Sequence, residues 1–196
     1  AKHPWRADDE KLMYPFYERI AKTGIKNVCI HKGLFAPATE ERFPNLRPYA
    51  DVSDIGKAAK DWPQLNFLVY HSAYRWVGGK PSDGMAEFDQ TGRSSWTSDL
   101  AEIPEKYGVT NVYGDLGQLF AWTSVAEPRL AAALMGILVK GLGPERILFG
   151  SDSASFPRGL ARAYYDLQLE AVAEAGIPDS DRGLIFAGNA ARVLGL

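Results

Sequence analysis

At 196 residues, 46% hydrophobic and 23% charged, the chain has the composition of an ordinary globular domain large enough to bury a core. A net charge of −2 without a long basic run argues against nucleic acid or an anionic membrane as partner, and favours a small organic substrate. The single cysteine, Cys29, excludes an internal disulfide framework and CxxC metal motifs and suits a reducing, cytoplasmic setting; no apolar run approaches the roughly 20 residues of a membrane span, and AKHPWRADDE lacks a signal peptide's apolar core.

Taken in order, Asp8 to Lys22 reads as a helix, with Met13, Tyr17 and Ile20 on one face and Gly24 beyond its end. NVCI follows as a strand that ends at His31, and Cys29 is expected to be one of its buried residues. Lys32 to Tyr49 reads as a turn-rich loop, and DVSDIGKAAKDW as a second helix stopped by Pro63. NFLVY is the next strand and leads to His71. From Ser72 to Trp96 a long loop rich in Gly, Ser and aromatics is expected, a length that usually signals function or mobility.

A short helix from Ser98 to Tyr107 precedes the strand TNVYGDLG, which carries Asp115. Pro128 opens a helix with Leu130, Leu134 and Leu138 on one face and Gly141 at its close. RILFG is the fourth strand, and the GSDS after it presents Asp152. Leu160, Tyr164, Leu167 and Ala171 line a further helix that ends at Gly176, and DRGLIFAGNAARVLGL reads as two helical pieces hinged at Gly188, with Asn189 capping the second.

Strand centres near Cys29, Leu68, Val112 and Leu148 are about 39, 44 and 36 residues apart, the size of βα units with enlarged loops. Strands alternating with helices predict an α/β fold: a parallel sheet with all strand C-termini on one side, in a single domain over residues 1–196. Four units make half of an eight-stranded barrel, so the open edges call for further sequence, a second chain or a flatter doubly wound arrangement.

Three of these strand ends carry side chains suited to chemistry. His31, His71 and Asp152 together would offer two imidazoles and one carboxylate, as a divalent metal or a water-activating site requires. Each has a plainer reading: His31 as a buried histidine bonded to backbone, His71 as a hydrogen-bonded residue beneath the long loop, Asp152 as a helix cap. Arg75 could fork onto a substrate carboxylate or be a surface arginine. Trp76, Trp96 and Trp122 could wall an aromatic substrate or simply pack their loops, and Asp115 reads as a loop cap. A serine hydrolase is disfavoured: no GxSxG elbow is present, and Ser151 or Ser153 beside Asp152 cannot flank one histidine as a triad. Nucleotide chemistry lacks a GxGxxG or Walker loop.

The set NVCIHKGL, FLVYHSAY, NVYGDLG, ILFGSDS and GNAARVLGL resembles, from about Asp8 onward, the C-terminal half of the amidohydrolase-related family. That branch of metal-dependent TIM barrels includes aminocarboxymuconate-semialdehyde decarboxylase and resorcylate decarboxylase. The resemblance implies a metal ligand at His31, a base or polariser at His71, and a ligand or proton shuttle at Asp152. It implies zinc, with manganese as the alternative, and hydrolysis or nonoxidative decarboxylation of a small, carboxylate-bearing or aromatic compound. The family's opening His-x-His or Glu-x-His pair is missing, so the chain reads as the second half of a (β/α)8 enzyme, completed by an N-terminal half or by homo-oligomer formation. The alternative is a noncatalytic half-barrel that binds a partner through its open edges.

Overall fold

The computed structural model describes residues 4–75, 80–152 and 162–196. Its four strands, β1 (Asn27–His31), β2 (Asn66–Tyr70), β3 (Val112–Asp115) and β4 (Ile147–Leu148), form one parallel sheet in the order β1-β2-β3-β4. Asn27 pairs with Asn66 and His31 with Tyr70; Phe67 pairs with Val112 and Gly114 with Ile147. Parallel neighbours require crossovers, so the C-terminal ends of all four strands lie on one side.

Period-two alternation divides each strand between two faces. Val28, Ile30, Phe67, Val69, Val112 and Ile147 are buried on the outer face. They share one core with Ile55 and Ala59 of α4 (Ile55–Asp61), Leu100 and Ile103 of α6 (Thr97–Tyr107), and Leu134, Leu138 and Leu142 of α8 (Pro128–Leu142). Gly141 lets α8 approach α6 closely, since a β-carbon there would overlap the carbonyl of Ala101. Asn111 ties the start of β3 to this layer by donating to the carbonyls of Ala59, Trp62 and Leu65 at 3.0, 3.1 and 2.7 Å.

The inner face is covered differently. Leu68, Tyr113 and Leu148 form a small cluster against Ala190 and Val193 of the terminal helix α11 (Asn189–Leu194). Asn27 donates to the Val193 carbonyl at 2.9 Å. Cys29 shares this face and is exposed, not buried as expected, because the described residues leave the inner side of β1 open.

Several loops hold more helix than their sequence announces. Lys32 to Tyr49 contains α2 (Pro37–Arg42) and leads into α3 (Arg47–Ala50); Ser72 to Trp96 contains α5 (Pro81–Thr91); and α7 (Gly117–Ala126) follows β3 directly. The first helix is shorter than expected, α1 spanning Tyr14–Lys22, with Pro15 in its first turn. Of the face predicted beyond β4, Ala171 is buried in α9 (Arg162–Glu174), whereas Leu160 lies outside the described residues. Gly188 is no hinge: its φ of −59° and ψ of −40° continue the helix from α10 (Asp179–Gly183) through a π-helical turn at Leu184–Gly188. Asn189 does not cap; its amide donates to the carbonyls of Pro144 and Ile147 at 2.7 and 2.8 Å, anchoring α11 under β4. No helix among the described residues is long and apolar enough to cross a membrane.

Candidate active site

His31 closes β1 on the inner face, with its ring centroid 4.8 Å from that of Tyr70, its register partner on β2. The chain then dives: Lys32 buries its ammonium against Asp54 at 2.7 Å and donates to the Tyr49 carbonyl at 3.0 Å. Gly33 has a φ of +81° and lies so close to the backbone of Ala73 and Tyr74 that a β-carbon would overlap it. The Leu34 amide donates to the Tyr74 carbonyl at 2.9 Å, stitching the end of β1 to that of β2.

His71 follows β2 in a left-handed turn and is 5% exposed. Its ring centroid is 5.3 Å from that of His31. Asp115, at the end of β3, accepts the His71 backbone N–H at 3.4 Å. Two glycines make room for these groups, because a β-carbon on Gly117 would overlap His71 Nδ1 and one on Gly150 would overlap the Asp115 carboxylate. Asp152 sits exposed beyond β4 with a φ of +51°. The sheet therefore brings His31 and His71 together, with Asp115 beneath His71 and Asp152 within electrostatic reach of it.

Burial lowers the pKa of His71, the nearby Asp152 charge opposes that fall, and His31 adds to it, so the imidazole is neutral at neutral pH. Its Nδ1 is buried without a hydrogen-bond partner among the described residues. The Tyr70 hydroxyl is pushed up to about 12, chiefly by its hydrogen bond with Cys29 and then by burial. Asp115 is pushed up to about 6, chiefly by burial, with the His71 N–H opposing and the Asp152 charge adding.

An acid held above its ordinary value contributes stability that is complete below the unfolded pKa near ~3.9 and is lost as pH rises through the folded one. Two pKa units correspond to at most about 3 kcal/mol. Asp115→Asn should therefore lack a decline that the wild-type protein shows between pH 4 and 7. Urea unfolding with a chelator present, at pH 4.5 and 7.5, should show the variant gaining on wild type at the higher pH; parallel profiles would refute this.

Arg75 is held by Glu40, which also accepts from Arg47 at 2.8 Å, and its guanidinium lies 5.2 Å from the Trp96 ring centroid. Trp96 is buried and stacks on Phe35 at 6.2 Å, so it packs the fold instead of walling a site. Trp122 is partly exposed on α7. Trp76 and Ser153 lie outside the described residues. A cavity of about 220 Å³ between α3, residues 51–53 and α6, lined by Arg47, Asp51, Trp96, Asp99 and Tyr107 among others, contains none of the strand-end groups. Sequence reading missed the buried Lys32–Asp54 pair and the left-handed turn, and took Asp115 for a loop cap. The one available signal for Asp115 was its place at a strand end, two residues before a glycine.

As a metal site this set is partial. Imidazole and carboxylate donors suit zinc or manganese, and the His31 imidazole is exposed at the strand end. Among the described residues no group of three His, Cys, Asp or Glu side chains could hold a metal ion by itself.

Comparison with known proteins supplies the wider context. A family model described as amidohydrolase matches residues 1–196. No curated protein matches. Among solved structures, a Burkholderia multivorans amidohydrolase with bound zinc is 18% identical at a TM-score of 0.54, covering 98% of this chain and 63% of its own. A Bordetella bronchiseptica TIM-barrel protein is 19% identical at a TM-score of 0.55, covering 98% and 53%. A dihydroxybenzoic acid decarboxylase from Polaromonas sp. JS666, with bound manganese and the inhibitor 2-nitroresorcinol, is 16% identical at a TM-score of 0.50, covering 100% and 57%. The chain thus spans little more than half the length of these structures, as half of a barrel would.

Proposed function

The chain belongs to the amidohydrolase family, and from that premise we propose that it is the C-terminal half of a metal-dependent hydrolase or nonoxidative decarboxylase. Its substrate would be a small carboxylate-bearing or aromatic compound. The observation that carries this reading is the approach of the His31 and His71 rings to 5.3 Å at one end of the sheet, with Asp152 acting electrostatically on His71.

In this reading His31 and Asp152 are ligands of zinc or manganese, and the remaining ligands come from an N-terminal half. A divalent metal bound there would acidify water or polarise a substrate carboxylate. His71 moves the proton: burial keeps its imidazole neutral and so able to accept one. The described part of the inner face leaves Cys29 and His31 exposed, which supports association with an N-terminal half or with a second copy. The lone free thiol supports a cytoplasmic setting.

Metal analysis of the full chain, its N-terminal half included, tests the assignment. Wild type should carry about one zinc or manganese and release carbon dioxide from dihydroxybenzoate or hydrolyse a related carboxylated aromatic. His31→Ala and Asp152→Ala should each weaken metal binding by at least about tenfold, judging from the size of effects seen even for groups that only support ligands. Stoichiometric metal in both variants would overturn the reading. A metal-free, inactive full chain would favour a noncatalytic partner-binding module.

A further inference from the structure

His71 sits where an extended strand would aim it the wrong way. In β2 the side chain of Tyr70 faces inward, opposite His31 in register. One residue further along a continuing strand, His71 would face outward beneath the helices. Instead the chain turns through three successive positive φ angles, 55° at His71, 46° at Ser72 and 56° at Ala73, none of them a glycine. All three residues are buried. A run of left-handed non-glycine residues persists only where its surroundings over-determine it.

Those surroundings are specific. The Tyr74 amide closes the turn on the His71 carbonyl at 3.0 Å. Ser72 Oγ donates to the Asp115 carbonyl at 2.9 Å, and Thr97 Oγ1, at the first position of α6, donates to the Ser72 carbonyl at 3.1 Å. Thr97 is 1% exposed, so its bond is sheltered from water. Gly114 leaves the space that Ser72 Oγ occupies, and Gly33 presses on the Ala73 carbonyl from the end of β1.

We propose that Ser72 and Thr97 are positioning residues that hold this left-handed turn, and that the turn swings the His71 imidazole back to the inner rim beside His31. Glycines would adopt these angles without strain but would supply neither the Ser72 hydroxyl nor a turn fixed in one state. The inference rests on the reading of His71 as the proton-moving group, yet its geometric content can be tested separately.

The experiment uses the full chain and reads carbethoxylation of each histidine by peptide mapping. Thr97→Val and Ser72→Gly should raise the modification rate of His71 at least fivefold, leave that of His31 unchanged, and abolish ring-to-ring NOEs between His71 and Tyr70. Thr97→Ser should restore wild-type behaviour. Thr97→Ala, which deletes the same hydrogen bond without adding volume, keeps the test decidable should Thr97→Val fail to fold; His71 should react faster in it as well. Folded variants with unaltered His71 reactivity and NOEs, and only lowered melting temperatures, would overturn the proposal. If His71→Asn leaves turnover of dihydroxybenzoate intact, the proton-transfer role fails while the reactivity shifts still report on the turn.

Discussion

Replacing Lys32 with alanine is expected to destabilise the fold by about 3–5 kcal/mol, the usual cost of leaving one member of a buried ion pair without the other. Lys32 and Asp54 side chains are 1% and 0% exposed, and one Asp54 oxygen accepts both the ammonium and the Ala7 amide at 2.7 Å. The other carboxylate oxygen is buried without a partner among the described residues. Burial already raises the pKa of Asp54, with Lys32 pulling it back, so removing the lysine strands a carboxylate that must take up a proton or unfold its surroundings. The double replacement Lys32→Met with Asp54→Leu should recover part of the loss, because no charge is then left buried; the orphaned Ala7 amide would keep a residual cost of about 1–3 kcal/mol. Urea denaturation of the three proteins reads this directly. A loss below about 1 kcal/mol for Lys32→Ala would show that the pair does not anchor the end of β1.

Under the proposed function, His71→Asn is expected to lower kcat by about 10²–10⁴ while leaving bound metal unchanged. Asparagine is the informative choice because it tolerates left-handed backbone better than most residues, so the turn survives while the titrating ring is lost. A hundredfold to ten-thousandfold fall corresponds to about 3–5 kcal/mol of transition-state stabilisation. The measurement is turnover of dihydroxybenzoate by the full chain, with metal content determined on the same samples. A change below tenfold would remove His71 from the chemistry, and a parallel loss of metal would make it a ligand instead.

The strands were legible because their residues satisfy a simple requirement. NVCI and NFLVY put apolar side chains where helices cover the sheet, and the histidine after each apolar run marks the strand's end. Helices α2 and α5 were not legible because little of their surface is apolar, whereas the apolar residues of α7 form no one-sided stripe. In α5 only Gly84 and Met85 are buried, although Pro81 followed by Asp83, whose carboxylate accepts the Lys80 amide at 3.1 Å, is a helix-start signal that the loop reading passed over. Cys29 was expected to be buried from residue type alone. Alternation puts it on the same face as His31, and its exposure depends on what lies across that face. Lys32 reads as a surface residue after a strand, and only the Asp54 carboxylate, 22 positions away, explains its burial. HSAY contains no glycine, so nothing in the letters announces a left-handed backbone at His71.

The sheet grows in strict chain order, each new strand pairing with the one just before it. Within these residues, therefore, a strand leaving the ribosome meets its next partner one βα unit later. Assembly by accretion, one βα unit at a time, keeps loop-closure entropy low and limits the period in which a bare edge can pair with another nascent chain.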